Sequence, residues 1–235
     1  MRTLLLFDID GTLLLSARAG AKAMQEAGKR VAGPHFDLSG VEFAGCLDPR
    51  IWADGARLAG VADPDALHDA FREAYAAALT RRFASNPTAH TLPGVDALIG
   101  RLRIDDRFDL GLVTGNYPET GRLKLSTAGL DPNDFPHAAW GTDGERRRAL
   151  PPVAIARFRK ATDAAIDPGR VVVIGDTVHD VDCARYNGCR AVAVASGPSY
   201  SLDALRAAGP DLLLRGLADP APLLDFLTEG ISGRA

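Results

Sequence analysis

The chain has 235 residues, 46% of them hydrophobic and 24% charged, with a formal net charge of −3. That suits a globular protein made of one large domain, or of a core carrying a small insert. Nothing in the charge balance points to a polyanion-binding surface, and the run Arg146-Arg147-Arg148 is too short to supply one, so no nucleic-acid partner is expected.

The first element is a strand over Leu4 to Phe7, which ends in Asp8-Ile9-Asp10-Gly11-Thr12. Those two acids interrupt the apolar N-terminus, so it does not read as a signal peptide. From Ser16 to His90 the pattern is helical only: Ala17 to Val31, Pro49 to Ala59 and Pro64 to Ala84. In the last of these, Leu67, Ala70, Phe71, Ala74, Tyr75, Ala78 and Leu79 recur at the spacing of a packed helix face. The chain is expected to return through Thr91-Leu92-Pro93-Gly94.

Helices and strands then alternate. Strands are expected over Leu110 to Val113, Val171 to Ile174, Ala191 to Val194 and Leu212 to Leu214, with a further short one over Ala138 to Trp140. Helices are expected over Gly94 to Leu102, Glu119 to Ala128, Pro152 to Ala161, Asp180 to Asn187 and Ser201 to Ala208. Continuous apolar runs of four or five residues read as strands covered on both faces. The fold class is therefore α/β, a doubly wound, Rossmann-like parallel sheet with an inserted helical subdomain. The boundaries place residues 1–15 and 91–235 in the core and 16–90 in the insert. The tail from Thr228 to Ala235 is expected to fray.

Cys46, Cys183 and Cys189 lack the spacing of a zinc site or a disulfide framework, and a reducing cytoplasm fits them. No stretch is long and apolar enough to span a bilayer.

Ligands of open α/β sheets bind beyond the carboxyl ends of the strands. Three polar turns stand there: Asp8 to Thr12, Thr114-Gly115-Asn116, and Gly175-Asp176-Thr177-Val178-His179-Asp180. Converging carboxylates repel one another, and a hard divalent cation removes that conflict; magnesium suits such oxygen ligands. A metal of this kind attracts phosphate oxygens. Thr114 offers a hydroxyl and Gly115 a backbone N–H near the start of a helix, a natural anion site. Asn116 either contacts substrate or caps that helix. Of Asp8 and Asp10, one can attack phosphorus and the other can shuttle a proton.

With DIDGTL at Asp8 to Leu13 and GDTVHD at Gly175 to Asp180, the chain resembles the haloacid dehalogenase-like hydrolases, within their phosphoglycolate-phosphatase-like branch. The resemblance covers nearly the whole chain. It implies that Asp8 is the phosphorylated nucleophile and Asp10 the general acid/base. It implies magnesium bound through Asp8, the Asp10 carbonyl and Asp176, with Asp180 in support, and phosphate bound by Thr114. It makes the helical insert a mobile cap and the substrate a small phosphorylated metabolite. The acid at Asp10 favours phosphotransfer over dehalogenation. A phosphomutase or a silent binding protein on the same fold are the rival readings.

Two features depart from the family pattern. The third motif usually supplies a Lys or Arg facing the nucleophile. The four lysines, Lys22, Lys29, Lys124 and Lys160, do not match it, and Lys124 and Lys160 are assigned to solvated helix faces. Arg147 is the favoured substitute and Arg148 the next, just before Pro151 and Pro152, which can open a helix. In the insert, Gly45-Cys46-Leu47-Asp48-Pro49 stands where relatives often carry Gly-Arg-Thr-Asp-Pro. His179 is read as orienting the acidic loop.

Overall fold

A computed structural model describes residues 2–232. Strand β1 (Thr3–Phe7) has all five residues buried, and Leu4 to Phe7 are fully enclosed. Burying each such side chain is worth ~1.5–3 kcal/mol, which explains why this run takes an interior place in the sheet, between β4 and β5. The chain then forms the two-residue strand β2 (Leu14–Leu15) and helices α1 (Ala19–Ala32), α2 (Asp48–Leu58) and α3 (His68–Ser85). It returns through β3 (His90–Thr91), which pairs antiparallel with β2. The region expected to be purely helical is thus flanked by a small strand pair at its neck.

Next come α4 (Val95–Leu102), β4 (Phe108–Leu112), α5 (Pro118–Thr127), α6 (Leu150–Thr162), β5 (Val171–Gly175), α7 (Val178–Tyr186), β6 (Arg190–Val194), α8 (Leu202–Ala207), β7 (Leu212–Leu214) and α9 (Ala221–Ser232). The main sheet is parallel, in the order β4-β1-β5-β6-β7. Leu5 and Phe7 point to the face covered by α4 and α9, while Leu4 and Leu6 point to the face covered by α6, α7 and α8. The fold is the doubly wound α/β sheet that the apolar runs imply.

Two expectations change. Ala138 to Trp140 forms no strand; Ala139 makes a single parallel bridge to Val113. The tail expected to fray from Thr228 continues as α9 to Ser232, because Leu223 and Leu227 are buried against the sheet. Residues 233–235 lie outside the described residues.

Helices α1, α2 and α3 build their own apolar cluster around Met24, Phe36, Trp52, Phe71 and Tyr75. Tyr117, just before α5, belongs to this cluster, and Leu123 and Ala128 pack against it, so the helical layer is seated on the core along α5. Around it, Arg72 of α3 makes a two-pronged ion pair with Glu119 at 2.6 and 2.8 Å, and His68 Nε2 lies 2.7 Å from the Tyr117 hydroxyl. Among the described residues no helix is long and apolar enough to cross a membrane.

Candidate active site

Because β4, β1 and β5 are neighbours, the turns that follow them meet at one edge of the sheet. Asp8, Asp176 and Asp180 are all buried there, and each presents an oxygen within 4.8 Å of the others. Gly11 makes this approach feasible. Its φ of +83° suits glycine, and a Cβ at that position would lie 2.3 Å from the Asp176 carboxylate.

Arg147 is the cation of this cluster. It sits in a short 3-10 turn, Arg147–Ala149, ahead of α6, whose first turn accepts Pro151 and Pro152. Its guanidinium lies 3.0 Å from Asp8 Oδ1 and 2.6 Å from Asp180 Oδ1, and it donates to the Val113 carbonyl at 3.2 Å. Arg148 turns away and pairs with the half-exposed Asp182. Asp180 spends its second oxygen on the Thr177 N–H at 3.0 Å and the Thr177 hydroxyl at 2.6 Å, a capping box that fixes the start of α7.

One guanidinium does not balance three buried carboxylates. Burial pushes the Asp8 carboxyl up to about 6, against the pull of Arg147 and with the push of Asp180 and Asp10. Burial, then the charges of Asp8 and Asp180, push Asp176 up to about 8. Asp176 makes one long contact, 3.4 Å from the Thr12 hydroxyl. An all-oxygen, over-negative, enclosed donor set is what a hard divalent cation requires. The residues therefore fit a hard divalent cation, magnesium among them.

The Asp10 carboxylate stands apart from that cluster. Its Oδ2 accepts from Lys124 Nζ at 2.7 Å and from Asn116 Nδ2 at 2.9 Å. Lys124 also donates to Asn116 Oδ1 at 2.6 Å, and Asn116 Nδ2 reaches the Thr114 hydroxyl at 2.8 Å. Lys124 is buried, not solvated as expected, whereas Lys160 is exposed. Burial opposes its charge, but Asp10 and Asp48 outweigh that and hold its ammonium above the usual range. The signal for Lys124 was helical spacing. Thr120, Gly121 and Lys124 form one buried face of α5 that begins at the Thr114-Gly115-Asn116 turn.

Asn116 does not cap α5. Tyr117 holds that place without a side-chain cap bond; Asp48 of α2 accepts the Tyr117 N–H through Oδ2 at 3.0 Å, while the Asp48 N–H donates to the Gly115 carbonyl at 2.7 Å. A Cβ on Gly115 would sit 2.0 Å from the Cys46 carbonyl oxygen, so this glycine serves to let the helical layer dock. His179 contacts Tyr200, at 3.3 Å, and underlies Gly45, so it braces the loop of residues 43–47 rather than the acidic turn.

A cavity of about 570 Å³ opens from Asp8, Asp10 and Thr114 toward the helical layer. Its far wall includes Met24, Phe43, Ile51 and Tyr75, and both Asp48 and Lys124 line it.

The fold recurs in solved structures. A hydrolase from Pseudomonas syringae aligns at a TM-score of 0.69 and 24% identity, over 96% of this chain and 99% of that one. A predicted phosphatase from Clostridium acetobutylicum aligns at 0.68 and 20%, over 96% and 99%. A predicted phosphoglycolate phosphatase from Haemophilus somnus 129PT aligns at 0.65 and 19%, over 95% and 98%. No curated protein matches the chain. The haloacid dehalogenase-like hydrolase model matches residues 3–188, and the chain belongs to that family.

Proposed function

We propose that the protein is a magnesium-dependent phosphatase that hydrolyses a small phosphomonoester through a phosphorylated Asp8. The observation that carries this reading is the pair of carboxylates at the cavity floor, held in contrasting ways. Asp8 is buried against Arg147 within an acidic cluster, and Asp10 faces the cavity on a separate Lys124–Asn116 support.

Asp8 attacks phosphorus with the carboxylate oxygen not engaged by Arg147, and the bond to the ester oxygen breaks. Asp10 gives its proton to that leaving oxygen. It then takes a proton from the water that attacks the phosphorylated Asp8, and the new P–O(Asp8) bond breaks to release phosphate. Arg147 keeps Asp8 oriented, and the Thr114 hydroxyl and Gly115 turn hold phosphate oxygens. Magnesium would be held by Asp8, the Asp10 carbonyl and Asp176, with Asp180 in support; when bound, it neutralises charge on the phosphate oxygens. Residues 16–90 act as the cap over the core formed by 1–15 and 91–235, and exclude bulk water from the attack. The unpaired Cys46, Cys183 and Cys189 suit a reducing compartment, the cytoplasm.

The test is release of phosphate from p-nitrophenyl phosphate with and without magnesium, in the native protein and in Asp8→Asn. Turnover should need the metal and fall to background in the variant, with the melting profile preserved. A variant that still turns over rules out Asp8 as nucleophile.

A further inference from the structure

We infer that the alcohol part of the substrate is bulky, mostly apolar and free of negative charge, and that it presents a hydroxyl or amine to Asp48. This rests on the phosphatase reading above and assigns the substrate class of that site.

Size is the first argument. The cavity of about 570 Å³ extends well past the carboxylates, more space than a phosphate with a two-carbon acid fills. Its far wall of Met24, Phe43, Ile51 and Tyr75 rewards apolar surface and offers little to a compact, strongly hydrated anion.

Charge is the second. Lys124 is the buried cation on the leaving-group side, and its ammonium is already engaged with Asp10 and Asn116. Arg18 also lines the cavity but is solvent-exposed, so water screens its charge. Against them stand Asp10 and Asp48. A leaving group with its own carboxylate would add negative charge beside an ammonium already shared. Cys46 and Leu47 supply no cation: burial pushes the Cys46 thiol up and keeps it neutral, and Leu47 is buried in the apolar cluster beneath the sheet.

Asp48 is the third. It is 6% exposed and lines the cavity, yet the protein satisfies one of its oxygens, Oδ2, through the Tyr117 N–H. Among the described residues no donor bonds the other oxygen, which is left open to the cavity. A ligand hydroxyl or ammonium there would gain a hydrogen bond to a largely desolvated carboxyl group. Asp48 is thus a specificity-determining residue.

The experiment compares kcat/KM for phenyl phosphate, 4-(aminomethyl)phenyl phosphate, 4-carboxyphenyl phosphate and 2-phosphoglycolate, with p-nitrophenyl phosphate as reference. The native enzyme should prefer the aminomethyl ester over the carboxyphenyl ester by about tenfold or more, with phosphoglycolate below all aryl esters. Asp48→Asn keeps an acceptor for the Tyr117 N–H and should shrink that preference to about threefold or less. Comparing the two enzymes cancels the intrinsic acidities of the phenols. Equal or faster hydrolysis of the carboxylated esters by the native enzyme overturns the inference and leaves the phosphatase reading standing. An unchanged preference in the variant overturns the role of Asp48. Failure of every ester, the reference included, removes the phosphatase reading and this inference with it.

Discussion

Arg147→Met tests how the acidic cluster is held. In the native chain the guanidinium is 7% exposed and serves Asp8, Asp180 and the Val113 carbonyl together. Methionine fills much of the space and removes every donor. Breaking a buried ion pair by removing one partner costs ~3–5 kcal/mol, because the remaining charges are left uncompensated. For a chain of this length that is a fall of about 10 °C in Tm. Arg147→Lys keeps the charge but cannot fork between two carboxylates and a carbonyl, and should lose ~1.5–3 kcal/mol. Urea melts in chelator and in magnesium provide the assay. Magnesium should stabilise the Met variant more than the native protein, since a bound cation replaces the missing positive charge. If Arg147→Met unfolds within about 1 kcal/mol of the native protein in chelator, the three-way contact is not what offsets the carboxylate repulsion.

Three further outcomes follow from the same geometry. Lys124→Met should lower kcat more than it raises KM, because it frees Asp10; the Asp10 side chain is 41% exposed, so the stability loss should stay near ~2 kcal/mol. A variant with unchanged kcat would show that Asp10 needs no such support. Gly115→Ala forces a methyl into the Cys46 carbonyl and should cost ~1–3 kcal/mol while loosening the helical layer, read as faster proteolysis between residues 16 and 90; unchanged protection would mean the layer docks elsewhere. For Asp48, burial raises the folded-state carboxyl to about 7 from 3.8. Its ionised form therefore opposes folding: the penalty is absent below pH 4, grows as pH rises, and reaches its full ~4 kcal/mol above pH 7. Asp48→Asn should gain stability relative to the native protein between pH 5 and pH 8.5; a pH-independent difference would refute the buried-charge assignment.

The core strands were legible because each is a short, uninterrupted apolar run, and a strand covered on both faces has no other use for such a run. The acidic turns were legible because they directly follow those strands, so sheet order alone brings them together. What escaped was side-chain placement within helices. Lys124 lies between Leu123 and Leu125, and the burial of its tip depends on the docking of the helical layer, with Gly20 of α1 against its ammonium. Asp48 stood out only as part of Gly45 to Pro49. Its hydrogen bond to the N–H of Tyr117, at the start of α5, depends on contact between the two layers. Helix α9 was not among the expected helices, although Pro222 in its first turn costs no hydrogen bond. Arg147 and Arg148 were separable only by geometry, since adjacent residues on a 3-10 turn point in different directions.

The antiparallel pair of β2 and β3 has an evolutionary corollary. Leu14 faces Thr91 and Leu15 faces His90, so outgoing and incoming backbone lie side by side. To the sheet, everything between them is a single long excursion from one point, and the entropy of closing a loop grows only slowly with its length. The intervening stretch can therefore be enlarged, trimmed or exchanged wholesale without shifting the register of β1 in the sheet. One hydrolase core can in this way be refitted by exchanging the helices between its first strand and its return.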